Sequence, residues 1–173
     1  SYWIGFAVGS ICGLLTAAIH AFLCISLKAD QAISGIMLTL LGTGVTTYFG
    51  QQWASAQFTG FPDRTLPVIG GLLVEIPFLG PTVFEGPATD FVALGLVVVV
   101  WWLLTRTNLG LEMISVGEDP ETADTMGIDV FKMRYLAVLI GGLFAGAAGA
   151  HLSLAFNGIW TNNIAAGQGW IAV

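Results

Sequence analysis

Long apolar runs separated by short polar segments dominate the chain. A helix of about 20 mostly apolar residues is long enough to cross the hydrocarbon core of a bilayer. Runs of this kind lie at 3–27, 32–49, 87–106 and 130–156, and another begins after the linker 157–169. The pattern predicts an all-α fold, a polytopic membrane helix bundle with about four complete transmembrane helices and the start of a fifth.

The composition supports a membrane location. Of the 173 residues, 55% are hydrophobic and 9% are charged, and the mean hydropathy of +0.83 exceeds what the core of a soluble domain requires. The net charge of -6 leaves no basic patch, which argues against nucleic acid as a partner. The opening residues SYWIGFAVGS include neither a Met nor the basic start of a signal peptide, so we expect an excerpt from a longer protein.

The basic residues indicate how the helices are oriented. All but Arg64 fall on one side of the alternating topology: Lys28, Arg106, Lys132 and Arg134. The positive-inside rule makes that side cytoplasmic, and the tryptophans lie near predicted helix ends, as interfacial indoles do. Segment 107–129 is therefore predicted to be a cytoplasmic loop, and the proline-rich segment 50–87 to be extracytoplasmic.

The cytoplasmic segment contains an acidic stretch, VGEDPETADTMGID, with the signals of a short helix. Asp119 can cap the helix, Pro120 suits its first position, and Glu121 suits the positive end of the helix dipole. Gly127 can adopt the left-handed conformation that ends a helix, and Asp129 can cap the next one. The pattern predicts a two-turn rod from Pro120 to Met126, joined to the fourth transmembrane helix through a defined corner.

Two interpretations of this rod remain open from spacing alone. Ala123 and Met126, three residues apart, form a small apolar face with Glu118, Glu121 and Asp124 around it. Such a face suits docking into a groove on a partner. The alternative is a solvated loop that only keeps a cytoplasmic turn soluble.

A longer run, GLEMISVGEDPETADTMGIDVFKMRYLAVLIGGLFAGAAGAHLSL, from Gly110 to Leu154, resembles the coupling loop and following helix of bacterial ABC importer permeases for simple sugars and nucleosides. The resemblance extends to ADQAISGIMLTLL, IPFLGPTVF and GQGWIAV, and so covers nearly the whole chain. The form VGEDPETADTMGI is most similar to the branch that works with nucleoside-binding lipoproteins.

The resemblance implies a permease subunit, not an enzyme, that moves a small polar solute inward across the bacterial cytoplasmic membrane, a nucleoside first and a simple sugar next. It implies a second permease subunit, identical or different, a substrate-binding lipoprotein and cytoplasmic ATPases that carry ATP and Mg. It also assigns ATPase coupling to one group of residues: Glu118, Asp119, Pro120, Glu121, Ala123, Asp124, Met126 and Gly127.

Three positions depart from the family pattern. Thr39 stands where Asn is usual, Gln168 where a basic residue is usual, and His151 where Tyr is more frequent. These departures leave the family assignment intact but weaken any transfer of ligand specificity.

The sequence lacks the usual means of binding ATP or a metal. A P-loop needs Gly-Lys followed by Ser or Thr, and neither Lys28 nor Lys132 lies in such a context. No cluster of metal ligands and no nucleophile with a base at suitable spacing is present. We therefore expect no cofactor in this chain and expect the nucleotide chemistry to belong to a partner.

Polar and small residues within the helices suggest further roles. Candidates for a translocation path are Thr39, Thr43, His151 and Asn157, and candidates for close helix packing are Gly142, Gly146 and Gly149. For His20 and His151, polar contacts between helices are favoured over a proton relay. An ion-coupled secondary transporter is the alternative function, but the predicted spans carry few acids or bases.

Overall fold

The computed structural model describes residues 2–53, 88–156, 164, 165 and 167, and in these residues it contains helices and turns but no strand. The helices are α1 (Tyr2–Ala21), α2 (Gln31–Gly50), α3 (Ala88–Arg106), α4 (Asn108–Glu118), α5 (Pro120–Thr125) and α6 (Val130–His151). π-helical turns continue α1 over Phe22–Ser26 and α6 over Leu152–Phe156, and a 3₁₀ turn continues α2 over Gln51–Trp53. The predicted all-α helix bundle is confirmed.

Several of these helices can cross a membrane. In the described part, the stretches Trp3–Ser26, Gln31–Trp53 and Val130–Ala155 are long and apolar enough, and α3 with α4 adds a fourth if that bent pair is counted as one span. With 19 residues, α3 is about 28 Å long at 1.5 Å per residue, close to the thickness of the hydrocarbon core. The predicted fifth span and the proline-rich part of segment 50–87 lie outside the described residues.

A tight turn joins α1 to α2. The Leu27 N–H donates to the Phe22 carbonyl at 3.1 Å, which closes the π-helical turn, and Lys28 then takes a positive φ of 54°. The Asp30 carboxylate accepts from the Ile33 N–H at 3.0 Å and so caps α2. The turn therefore holds a basic and an acidic side chain at the end of the bundle where α6 begins.

The main contact of the bundle is a glycine-to-glycine crossing of α1 and α6. A Cβ on Gly13 would lie 2.6 Å from the Gly146 Cα, and a Cβ on Gly146 would lie 2.9 Å from the Gly13 Cα. A Cβ on Gly142 would overlap Ala17. Because real Cβ atoms do not come this close to a neighbouring backbone, only glycine permits this approach of the two helices.

The predicted packing stripe on α6 needs one correction. Gly142 and Gly146 lie in the crossing, but a Cβ on Gly149 would meet no atom of the described residues within 4 Å. Ala150, which the small-residue stripe also contains, does lie at the contact: it is 8% exposed, and its Cβ would be 2.8 Å from a Cβ on Gly9. A step of four residues stays close to one face of a helix, and Ala150 continues that row from Gly142 and Gly146 where Gly149 does not.

A polar contact connects α1 with α2. His20 Nδ1 lies 3.0 Å from the Ser34 Oγ, and Ser34 is 5% exposed. Cys24, one turn after His20, has its Sγ 3.7 Å from the imidazole nitrogens. The histidine thus makes a contact between helices, as the sequence favoured, with a buried hydroxyl as its partner.

Candidate functional site

Asp119 builds the start of the predicted rod. Its Oδ1 accepts from the N–H groups of Glu121 at 3.1 Å and Thr122 at 3.2 Å, and its Oδ2 accepts from the Thr122 hydroxyl at 2.6 Å. Pro120 occupies the first position of α5, as predicted. The Thr122 hydroxyl, followed by the backbone N–H groups, holds the pKa of Asp119 below its ordinary value, so the cap is charged at neutral pH.

Gly127 ends the rod through a Schellman motif. Its φ is +85°, its N–H donates to the Asp124 carbonyl at 2.9 Å, and the Ile128 N–H donates to the Ala123 carbonyl at 3.1 Å. Met126 is the C-cap, so α5 ends one residue earlier than predicted. The rod is nevertheless held at both ends by the residues that the sequence selected.

A second helix precedes the rod, and the sequence did not predict it. Residues 108–118 of the predicted loop 107–129 form α4, which ends at Glu118. The Asp119 N–H donates to the Ser115 carbonyl at 2.9 Å and closes α4, while the Asp119 side chain caps α5. A single residue thus joins the two helices without a linker.

The signal for α4 was present but weak. Thr107 is an N-cap residue, and Leu109, Met113 and Val116 follow at helical spacing. Two glycines in an eleven-residue segment oppose a helix, because glycine costs about 1 kcal/mol relative to alanine in a helix interior. Contact with α3 and α6 makes the helix stable here.

A sharp corner joins α3 to α4. The two helices meet at a bend of 76°. The Thr107 hydroxyl accepts from the Gly110 N–H at 3.2 Å and donates to the Leu103 carbonyl at 2.6 Å, so one side chain binds both helices. Gly110 is buried, and a Cβ there would overlap the backbone of Leu103 and Leu104.

Asp129 makes the corner between α5 and α6. Its Oδ1 accepts from the Lys132 N–H at 3.0 Å, and its Oδ2 lies 2.8 Å from the Lys132 Nζ. The hydrogen bond from the Lys132 side chain lowers the pKa of Asp129 below its ordinary value, and the bond from the Lys132 backbone N–H lowers it further. Because both side chains are exposed, the ion pair adds little stability, and the helix cap is the structural contribution.

The predicted apolar face of the rod is corrected by the structure. Ala123 is 3% exposed, whereas Met126 is 78% exposed. The helix has ended at Thr125, so Met126 leaves the helical row that contains Ala123. Glu118, Glu121 and Asp124 are exposed as predicted, and the accessible surface of the rod is therefore acidic with one protruding methionine.

A charged cleft lies beside the rod. It has a volume of about 750 Å³ and is bounded by α5, the start of α6 and the turn between α1 and α2. Its ionisable lining comprises Lys28, Arg134, Glu121, Asp124 and Asp129. In the part of the chain that the structure describes, no group of three or more His, Cys, Asp or Glu side chains is suited to hold a metal ion.

The candidate path residues do not form one site in the described part. The hydroxyls of Thr39 and Thr43 donate back to helix carbonyls at 2.9 Å and 2.8 Å, and neither hydrogen-bonds to His151. His151 instead places its Nε2 3.3 Å from the Asp90 Oδ1 at the start of α3. Asn157 lies outside the described residues. The contact from His151 to Asp90 was missed because it joins residues far apart in sequence.

Comparison with known proteins decides the family. The protein-family model described as "Branched-chain amino acid transport system / permease component" matches residues 1–173. The chain belongs to this permease family. The resemblance noted from the sequence is therefore confirmed.

Curated relatives of this permease carry transport names. The chain is 62% identical over 173 residues to the "Putative glucose ABC transporter permease protein TsgC13" of Haloferax volcanii, covering 100% of this chain and 53% of that protein. It is 36% identical over 177 residues to the "Guanosine ABC transporter permease protein NupQ" of Bacillus subtilis, covering 99% of this chain and 54% of that protein.

The "Nucleoside ABC transporter permease protein NupC" of Lactococcus lactis subsp. cremoris is 30% identical over 172 residues, covering 99% of this chain and 54% of that protein. The permease chain spans about half the length of these relatives. No solved structure matches it. The relatives and the apolar helices together identify a membrane protein.

Proposed function

We propose that this chain is part of the transmembrane permease subunit of an ABC importer that moves a simple sugar or a nucleoside inward. The 62% identity to a protein named as a putative glucose permease supports the sugar, and the relatives named for guanosine and nucleosides support the nucleoside. The higher identity favours a sugar first, which reverses the order expected from the sequence. Partner ATPases, a second permease subunit and an extracytoplasmic binding lipoprotein complete the proposed importer in a multi-pass cytoplasmic membrane arrangement.

The short rod α5, capped at both ends, carries this proposal. A helix of 6 residues has few hydrogen bonds of its own, and isolated helices shorter than about 12 residues are marginal in water. Asp119 and Gly127 compensate by satisfying the free N–H and carbonyl groups at its ends. A rod kept rigid in this way can transmit a push from a docked ATPase.

The exposed surface of the rod suits such docking. Glu118, Glu121 and Asp124 are exposed, and Met126 protrudes among them. Methionine adapts its shape to a groove, and the carboxylates select a groove with basic residues. Ala123 faces its own chain and holds the rod in place from behind.

Movement of the rod reaches the membrane through α6. Between the end of α5 at Thr125 and the Asp129 cap of α6 lie Met126, Gly127 and Ile128, and the Schellman motif fixes this short connection. The glycine crossing of α6 with α1 has no large side chains at its centre. We infer that α6 can slide or tilt along α1 there and so switch between two packings. In this mechanism, ATP binding by the partner ATPases moves α5, and α6 follows.

The test uses the full-length permease with its partners in reconstituted vesicles. We expect both variants, Asp119→Ala and Gly127→Val, to insert normally but to uncouple ATP hydrolysis from uptake. Each substitution removes the residue that caps one end of the rod. Gly127→Asn is the control, since asparagine tolerates a positive φ better than other side chains. Wild-type coupling in both Asp119→Ala and Gly127→Val would contradict the role of the rod, and uptake driven by an ion gradient without ATPase would overturn the importer.

A further inference from the structure

The corner between α3 and α4 has the features of a fixed joint. A free joint between two helices contains residues with solvated backbone groups. Here α3 ends at Arg106 and α4 begins at Asn108, so Thr107 is the one residue between them. The Thr107 hydroxyl donates to the last turn of α3 and accepts from the first turn of α4. The bend of 76° is thus set by hydrogen bonds on both sides of one residue.

Gly110 locks the same corner sterically. It is buried, and its Cα faces the backbone of Leu103 and Leu104 with no room for a side chain. Gly117, in the same helix, has open space around it in the described part of the chain, since a Cβ there would meet nothing within 4 Å. Glycine is therefore required at the corner but not at the other end of α4.

The rod follows α4 with no linker. Asp119 closes α4 through its N–H and starts α5 through its carboxylate. Val116, 6% exposed, and the buried Ala123 are covered where α4, α5 and α6 pack together. The segment from α3 to α5 is thus a series of three helices joined at fixed corners.

We propose that Thr107 and Gly110 are positioning residues that make α3 and α4 one rigid, bent arm, so that movement of α5 reaches α3 as well as α6. This inference rests on the proposed function, in which a partner ATPase moves α5. Movement of α5 then displaces two membrane-spanning helices, α3 and α6. At its far end α3 carries Asp90, the partner of His151. The arm joins the cytoplasmic rod to a contact between α3 and α6 on the opposite side.

The first experiment measures uptake per ATP hydrolysed by the full-length transporter in vesicles. We expect Gly110→Ala to lower this ratio severalfold while ATP hydrolysis continues, and we expect Gly117→Ala to leave the ratio unchanged. Thr107→Val should also lower the ratio, and Thr107→Ser, which keeps the hydroxyl, should restore it. A normal ratio in Gly110→Ala and Thr107→Val would overturn the inference.

The second experiment measures the arm itself. Spin labels at Leu94 on α3 and Ile114 on α4, both exposed, report the distance across the corner in a variant without Cys12 and Cys24. We expect one narrow distance, the same without nucleotide and with trapped ATP, and a shifted, broader distribution in Gly110→Ala. A distance that changes with ATP in the otherwise unchanged protein would show a flexing joint and overturn the inference.

The two experiments separate this inference from the function on which it rests. If the wild-type transporter shows no ATP-driven uptake, the proposed function fails, whatever the spin labels report. If wild-type uptake is coupled to ATP and both Gly110→Ala and Thr107→Val are coupled equally well, only the rigid arm fails.

Discussion

Asp119 combines more roles than any other residue of the candidate site. Its backbone ends α4, its carboxylate starts α5, and the Thr122 hydroxyl keeps that carboxylate ionised. Since the pKa in the folded protein is below the ordinary 3.8, the cap contributes stability above that pH. The contribution is lost as the pH falls below 3.8 and through the lowered pKa.

Replacing Thr122 tests this arrangement at a single residue. Thr122→Val keeps the shape and the backbone N–H but removes the hydroxyl, which is the largest cause of the lowered pKa, so the pKa of Asp119 should rise. Thr125→Val is the matched control, because the Thr125 hydroxyl donates to the Thr122 carbonyl and not to Asp119. The measurement is an NMR titration of the Asp119 carboxyl carbon, and an unchanged pKa in Thr122→Val would contradict this account.

Local signals predicted the residues at the ends of the rod, whereas its surroundings escaped prediction. Asp119, Gly127 and Asp129 act on backbone groups within a few residues, so their types and spacing sufficed. The burial of Ala123 depends on how α5 lies on its neighbours. The sequence pattern within a helix of 6 residues does not indicate which of its faces packs against neighbouring helices.

At the scale of helices, sequence periodicity located the long elements but not their partners. The predicted windows at 3–27, 32–49, 87–106 and 130–156 lie close to α1, α2, α3 and α6, because apolar length alone defines a span. The small residues of α6 were recognised, yet Gly9 and Gly13 of α1 were not paired with them. Pairing two stripes requires the crossing geometry, which is a tertiary property.

The glycine crossing predicts a difference between two alanine substitutions in α6. Gly146→Ala places a methyl group against the backbone of Gly9 and Gly13 and should destabilise the bundle by about 1–3 kcal/mol, the usual cost of overpacking. Gly149→Ala meets open space among the described residues and should be neutral or slightly stabilising, because alanine favours helix. Reversible unfolding in bicelles measures both variants, and equal stabilities would show that the crossing is looser than described.

At the scale of the whole molecule, the basic residues that the structure describes lie at one end of the helix bundle. Lys28, Arg106, Lys132 and Arg134 all lie at or near helix ends on the side that carries α5. The rod at this end is acidic, so the same surface offers both signs of charge to a partner. The positive-inside rule uses only the basic residues, which is why the acidic rod did not obscure the predicted orientation.

Orientation is therefore the property that decides whether α5 can meet a cytoplasmic ATPase. Single cysteines at Met126 and Trp53, which are 78% and 58% exposed, mark the rod and the far end of α2 in a variant without Cys12 and Cys24. A membrane-impermeant maleimide should label Trp53→Cys in intact cells and Met126→Cys only in inside-out vesicles. Labelling of Met126→Cys from outside intact cells would place the rod beyond reach of ATP and exclude coupling through α5. Labelling of both cysteines from the same side would instead show that the chain between them, which contains α3, makes no net crossing of the membrane.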